Sequence, residues 1–202
     1  MSPTVYRLSR FVCWALLRTF WRLRVAGTEH IPPRGPLIVA CNHVSYFDPP
    51  ALGAAATRPL AYMAKRQLFR IPLLGPLLWA LGAFPVDRSR GDVAAIKAAL
   101  ELLSKGAAMG IFPEGTRNMK RDIKPQMGVA LLASRTGAAV VPAHVSGTAR
   151  VRRLARIGVA FGEPLRFESP GKATRDDLAK WTMELMRRID ALGEIFGGNQ
   201  EG

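Results

Sequence analysis

Apolar residues in this chain fall into short runs closed by glycine, proline or charged clusters. Between them lie stretches with helical spacing of the apolar positions. The run Leu37–Cys41, entered through the proline-rich turn Ile31–Pro36, reads as a buried strand. Ala61–Ala64, Ala83–Val86, Ala108–Phe112, Ala139–Val145 and Ile157–Phe161 read the same way. Asp92–Ser104 has a helical pattern ended by Gly106, Gly128–Ser134 one ended by Gly137, and Arg175–Leu192 reads as a closing helix. Asp48-Pro49 reads as a helix start, with aspartate at the cap and proline in the first turn. Pro72–Gly82 is apolar but interrupted by proline. Strands alternating with helices predict an α/β fold, a single domain whose mixed or mostly parallel sheet is flanked by helices.

The amino-terminal stretch differs from the rest. Residues 4 to 24 read as an amphipathic helix: Arg7, Arg10, Arg18 and Arg22 recur on one side, and Leu8, Phe11, Val12, Ala15, Leu16 and Phe20 fill another. Trp14 and Trp21 suit a lipid–water boundary, so the expectation is a helix lying in a membrane interface. The alternative is an arm packed on the core of its own domain. The expected organisation is an interfacial helix over 1–26, a catalytic domain over 27–196 and a disordered tail over 197–202.

Charge points to an anionic partner without choosing among the classes. The formal net charge of +14 attracts anions, whether nucleic acid, acidic lipid headgroups or a phosphorylated substrate. No run of apolar residues is long enough for a membrane-crossing helix, and no signal peptide is expected, since Phe11–Leu17 is closed by Arg18. The two cysteines, Cys13 and Cys41, suggest neither a disulfide staple nor a zinc site.

Two turns carry candidate chemistry. In Cys41-Asn42-His43-Val44-Ser45-Tyr46-Phe47-Asp48, His43 follows a buried strand, where ligands gather in open α/β sheets. The chain can fold Asp48 back onto one imidazole nitrogen, fixing the tautomer and leaving the other nitrogen to take a proton. The bland reading makes His43 a satisfied polar residue and Asp48 only a cap. In Phe112-Pro113-Glu114-Gly115-Thr116-Arg117, also after a strand, Arg117 can hold a phosphate, and Glu114 can hold a hydroxyl or order the arginine; the alternative is a structural Glu–Arg pair. Between them, Lys65 to Arg88 begins basic, turns apolar and ends in Val86-Asp87-Arg88. It can flank a phosphate and meet an acyl chain, or form a hairpin of the core. His144 reads as packed within a strand, His30 as surface structure, and Ser146-Gly147-Thr148 as a contributor to the site floor. G-x-S-x-G, phosphate-binding glycine loops and metal-binding histidine motifs are absent, so a serine hydrolase, a nucleotide cofactor and a metal are not implied.

Taken together, Asn42-His43 with Asp48, Lys65 through Arg88, Phe112-Pro113-Glu114-Gly115-Thr116-Arg117 and Val141-Pro142 resemble the glycerolipid acyltransferase family over about residues 27 to 160. The resemblance implies that His43 is the general base toward the free hydroxyl of a lysophospholipid acceptor, with Asp48 orienting it. It implies a fatty-acyl thioester donor, on coenzyme A or acyl carrier protein, and neither cofactor, metal nor covalent acyl-enzyme. Glu114, Gly115, Thr116 and Arg117 then correspond to the acceptor-binding motif, with Lys65 and Arg88 as further phosphate contacts. Membrane lipids become partners, nucleic acid does not, and the expected location is the cytoplasmic face of the membrane, peripheral or monotopic. Gln67, Asn118-Met119 and the spacing Lys124 to Gly128 depart from the family pattern and leave another lysolipid, a glycolipid or an ornithine-type lipid as an alternative acceptor. A nucleic-acid-binding module is the alternative from another class, suggested by charge alone.

Overall fold

The computed structural model describes residues 2–87, 93–118, 123–169 and 171–197. The apolar runs become seven strands: β1 Arg24–Ala26, β2 Leu37–Cys41, β3 Leu60–Lys65, β4 Phe84–Val86, β5 Ala108–Ile111, β6 Ala139–Ser146 and β7 Gly158–Phe161. They form one sheet in the order β1-β7-β6-β2-β5-β3-β4. Every neighbouring pair is parallel except β6 and β7, which run antiparallel. The expectation of a mixed, mostly parallel sheet holds. Parallel neighbours need crossovers, and these are α2 Asp48–Ala55, α3 Leu74–Ala80, α4 Val93–Ser104 and α5 Gly128–Thr136. The chain begins with α1 Pro3–Phe20 and ends with α6 Arg175–Ala191 and α7 Glu194–Gly197.

Side chains alternate across a strand, and here both faces are covered. Leu37, Val39 and Cys41 point to a core completed by Leu52 and Ala55 of α2 and Leu17 of α1. Ile38 and Ala40 point the other way, onto Ala99 and Leu103 of α4, Leu132 of α5, and Leu185 and Ile189 of α6. A strand apolar at every position is what two covered faces require.

The amino-terminal helix stops at Phe20 rather than continuing to residue 24. Arg24–Ala26, read as helix from the sequence, is an edge strand parallel to β7. One side of α1 packs inward: Tyr6 and Leu17 are buried, and the Tyr6 hydroxyl accepts from the Leu60 backbone N–H at 2.9 Å. On the outer side Leu8, Phe11, Val12, Leu16 and Phe20 are exposed. The inner side is thus packed on the domain's own core, while the apolar residues of the outer side have no cover among the described residues. Within the proline-broken segment, α3 forms because Pro76 sits in its first turn, where its missing N–H costs no helical bond. Leu73, just before it, is 88% exposed. No described helix is long and apolar enough to cross a membrane. Arg88, Asp92 and the tail beyond Gly197 lie outside the described residues.

Candidate active site

The site lies where β2 and β5 end. The two strands are adjacent and parallel, with Ala40 opposite Ile111, so the turns that leave them emerge side by side. Asn42 fixes the exit of β2. Its side chain donates to the Val145 carbonyl at 3.0 Å and accepts from the Val145 N–H at 2.8 Å, clipping the turn to β6.

His43 follows, and it is held on several sides. Its backbone N–H donates to Glu114 Oε2 at 2.8 Å, and its carbonyl accepts from the Asn118 N–H at 2.7 Å. Its ring stacks on Phe112 at 4.3 Å between centroids. Nδ1 lies 2.8 Å from Asp48 Oδ2. Asp48 is fully buried, and the same oxygen also accepts from the Val44 and Ser45 N–H groups, each at 2.7 Å. A carboxylate that receives two backbone donors acts as an acceptor toward the ring as well. Nδ1 therefore carries a proton toward Asp48, and in the neutral ring this tautomer places the lone pair on Nε2. No hydrogen bond is made at Nε2 among the described residues. The residue is 9% exposed, so a reactant reaches one edge of the ring and bulk water reaches little of it.

Asp48 does not cap its helix. Phe47 occupies that position, and the carboxylate turns back over the preceding turn instead. Its second oxygen, Oδ1, accepts from the hydroxyl of Thr148 at 2.5 Å. Thr148 begins the 3₁₀ turn Thr148–Arg153 after β6 and is buried. Sequence reasoning placed Ser146-Gly147-Thr148 near the site floor without finding this contact. Nothing in the local pattern announces a partner so far along the chain.

The second turn faces the first. Glu114 is buried, with one carboxylate oxygen on the His43 N–H and the other accepting from the Asn118 side chain at 3.0 Å. Burial pushes its carboxyl above the usual range, opposed by those two donors and by the nearby His43. Gly115 has φ +70°, and a Cβ there would stand 2.5 Å from Gln126 Nε2, so the turn is built for glycine. Thr116 and Arg117 are exposed, and the Arg117 guanidinium lies 3.8 Å over the ring of Tyr46 in the first turn. Lys65, at the end of β3, is exposed at the same end of the sheet. Arg88 falls outside the described residues. His144 is buried, with Nδ1 at 3.0 Å from the Ile189 carbonyl, and His30 bonds the Phe161 carbonyl at 3.0 Å; both serve packing.

Beside Phe112 opens a cavity of about 250 Å³, lined chiefly by apolar side chains that include Met63, Val86, Ile96, Val129 and Leu132. Phe112 is the shared wall between this cavity and the His43 ring.

The arrangement can take a proton at Nε2, with an arginine and an apolar cavity nearby. Comparisons with known proteins identify the family. The acyltransferase family model matches residues 22–146. The 1-acyl-sn-glycerol-3-phosphate acyltransferase of Bacillus subtilis is 32% identical over 84% of this chain and 87% of its own. The lyso-ornithine lipid O-acyltransferase of Pseudomonas aeruginosa is 35% identical over 72% of this chain, but the match spans about half, 56%, of that protein. The crystal structure of the 1-acyl-sn-glycerophosphate acyltransferase from Thermotoga maritima superposes with a TM-score of 0.68, covering 91% of this chain and 80% of that one at 24% identity, a likeness of fold. The protein belongs to the acyltransferase family and is an O-acyltransferase by class.

Proposed function

We propose that the protein transfers a fatty acyl group from an acyl thioester, on coenzyme A or acyl carrier protein, to the free hydroxyl of 1-acyl-sn-glycerol 3-phosphate, giving phosphatidate. The observation that carries this reading is the His43–Asp48 pair, in a turn whose Tyr46 ring also lies under the Arg117 guanidinium. His43 Nε2 takes the hydroxyl proton as the oxygen attacks the thioester carbonyl. The tetrahedral intermediate then expels the thiolate, and the imidazolium returns the proton to that leaving sulfur. Asp48 stabilises the transient positive charge on the ring, and no covalent acyl-enzyme is needed because a thioester is already activated. Such a base contributes about 10²–10⁴-fold, and holding both substrates together supplies more.

Arg117 and Lys65 suit the acceptor phosphate, the arginine through paired hydrogen bonds. Gly115 and Thr116 shape the turn that presents Arg117. Glu114 contributes by holding the His43 backbone, since both its oxygens are engaged inside the protein. Arg88, expected from the sequence as a further phosphate contact, remains part of this proposal. The apolar cavity beside Phe112 suits an acyl chain. The exposed apolar side of α1, with Leu73, Leu77 and Trp79 around α3, fits a peripheral position on a membrane, where a lysolipid resides.

Purified protein in detergent, given lysophosphatidate and acyl-CoA or acyl carrier protein, should form phosphatidate. His43→Ala should lose about 10²–10⁴-fold of kcat. Full activity in that variant rejects the mechanism. A lyso-ornithine lipid acceptor is the second reading, favoured by the Pseudomonas relative and by Gln67, exposed beside Lys65. A panel of acceptors compared by kcat/KM separates the two.

A further inference from the structure

Two arginine-rich stretches lie far apart in sequence. Arg18, Arg22 and Arg24 occupy the end of α1 and the start of β1, whereas Arg150, Arg152, Arg153 and Arg156 follow β6. Neither 18–28 nor 145–162 contains an aspartate or glutamate. The fold joins them. β1 pairs with β7 from Arg24 opposite Gly158, the Ile157 N–H donates to the Trp21 carbonyl at 3.0 Å, and the Trp21 indole donates to the Val151 carbonyl at 2.8 Å. All seven guanidinium-bearing residues are exposed.

The position of this cluster is set by strand direction. β6 is parallel to β2, so its carboxyl end lies at the His43 end of the sheet. β7 returns antiparallel from Ser146 opposite Gly158, and β1 runs with β7. The starts of β1 and β7, and the turn between β6 and β7, therefore sit at the active-site end. Thr148, the first residue of that turn, bonds Asp48, and the Trp21 ring lies 6.1 Å from that of Phe47, next to Asp48. Phe20, Phe47 and Leu154 are exposed among the arginines.

We propose that this arginine surface docks the enzyme on bilayers containing anionic phospholipid, with the headgroup phosphates on the guanidinium groups and the aromatic rim at the acyl boundary. The proposal rests on the lysolipid reading above for its statement that the site must open toward a bilayer. Guanidinium forks match phosphate oxygens in pairs, and exposed apolar rings interleaved with them suit the graded polarity of a membrane interface better than the carboxylate-studded surface of an acidic protein. The position beside His43 means that the contact also aims the cleft at the lipid layer.

The test is co-sedimentation of the full chain with vesicles of phosphatidylcholine alone and of phosphatidylcholine mixed with phosphatidylglycerol. The variant is Arg152→Ala/Arg153→Ala/Arg156→Ala, chosen because none of these side chains belongs to the catalytic machinery. The wild-type protein should partition onto the mixed vesicles with marked preference and be released by salt. The variant should lose on the order of a hundredfold of that partitioning. It should keep its melting temperature and its turnover of a short-chain, monomeric lysophosphatidate. Equal binding to both vesicle types, or unchanged partitioning of the variant, overturns the proposal. So does a loss of binding to acyl carrier protein or RNA in the variant while vesicle binding persists. Partitioning is read without acyl transfer, so a protein that turns over no lysolipid defeats the functional reading separately.

Discussion

Thr148 donates its hydroxyl to Asp48 Oδ1 at 2.5 Å, closing a buried chain that runs from Thr148 through Asp48 to the ring of His43. With the Val44 and Ser45 N–H groups on Oδ2, both oxygens of Asp48 are held, and the carboxylate has no freedom to swing away from Nδ1. The orientation of the His43 ring thus depends on a residue from another strand end.

Removing that hydroxyl should loosen the pair. Thr148→Val keeps the volume but leaves Oδ1 without its donor, a loss of about 1.5–3 kcal/mol for a hydrogen bond to a charged group. We expect kcat to fall by about tenfold, which corresponds to roughly 1.4 kcal/mol of the barrier. KM should change little, and Thr148→Ser should restore the rate. Steady-state kinetics on the three proteins decides it; a Thr148→Val enzyme with wild-type kcat assigns the contact to stability alone.

Arg117 should act on binding. Arg117→Ala removes a paired phosphate contact worth about 1.5–3 kcal/mol, so KM for lysophosphatidate should rise by roughly 10- to 100-fold with a smaller change in kcat. Arg117→Lys should rescue poorly, because an ammonium cannot offer the planar fork. Tyr46→Leu removes the ring under the guanidinium and should raise KM only a few-fold, in line with about 0.5–1 kcal/mol for an exposed cation–π contact. An unchanged KM in Arg117→Ala would count against its phosphate role.

Glu114 should imprint a pH dependence on stability. Its carboxyl is raised mainly by burial, so the native state holds that proton more tightly than the unfolded chain does. Its contribution is therefore favourable in acid and is lost as pH rises from the ordinary glutamate range through the raised native value. Glu114→Gln should flatten this decline in melting temperature while retaining an acceptor for the His43 N–H. Glu114→Ala leaves that buried N–H unpaired and should cost about 1–3 kcal/mol at all pH values. Parallel pH series of thermal melts would expose an identical slope in wild type and Glu114→Gln, which would rule the assignment out.

Gly147 carries the turn that delivers Thr148. Its φ is +81°, and an added Cβ would fall 1.9 Å from the Arg156 carbonyl oxygen, a backbone atom that cannot step aside alone. Gly147→Ala should destabilise by about 2–4 kcal/mol, from left-handed strain together with overpacking. Activity at low temperature should fall too, since Thr148 and the arginine turn shift together. Denaturant unfolding with an unchanged midpoint would contradict this.

Several features were legible in the residues alone. The uninterrupted apolar run Leu37–Cys41 announces a strand covered on both faces, because alternate side chains must all find apolar partners. The spacing from His43 to Asp48 announces their contact, because one tight turn and the first residue of a helix suffice to bring the carboxylate back. The glycine in Glu114-Gly115-Thr116 announces a turn with positive φ. These are local consequences of backbone geometry and side-chain periodicity.

Other features required the assembled sheet. Arg24–Ala26 shows no strand pattern of its own; it is a strand because β7 offers an edge. The meeting of the His43 and Glu114 turns follows from β5 inserting between β2 and β3, an order that no local pattern encodes. Glu114 turning inward to the His43 backbone, Thr148 reaching Asp48, and two arginine stretches merging into one surface all span long intervals of chain. Sequence specifies which groups are available and how neighbours along the chain meet; strand order and direction decide which distant groups share an end of the sheet, because pairing energy depends on the whole set of strands at once.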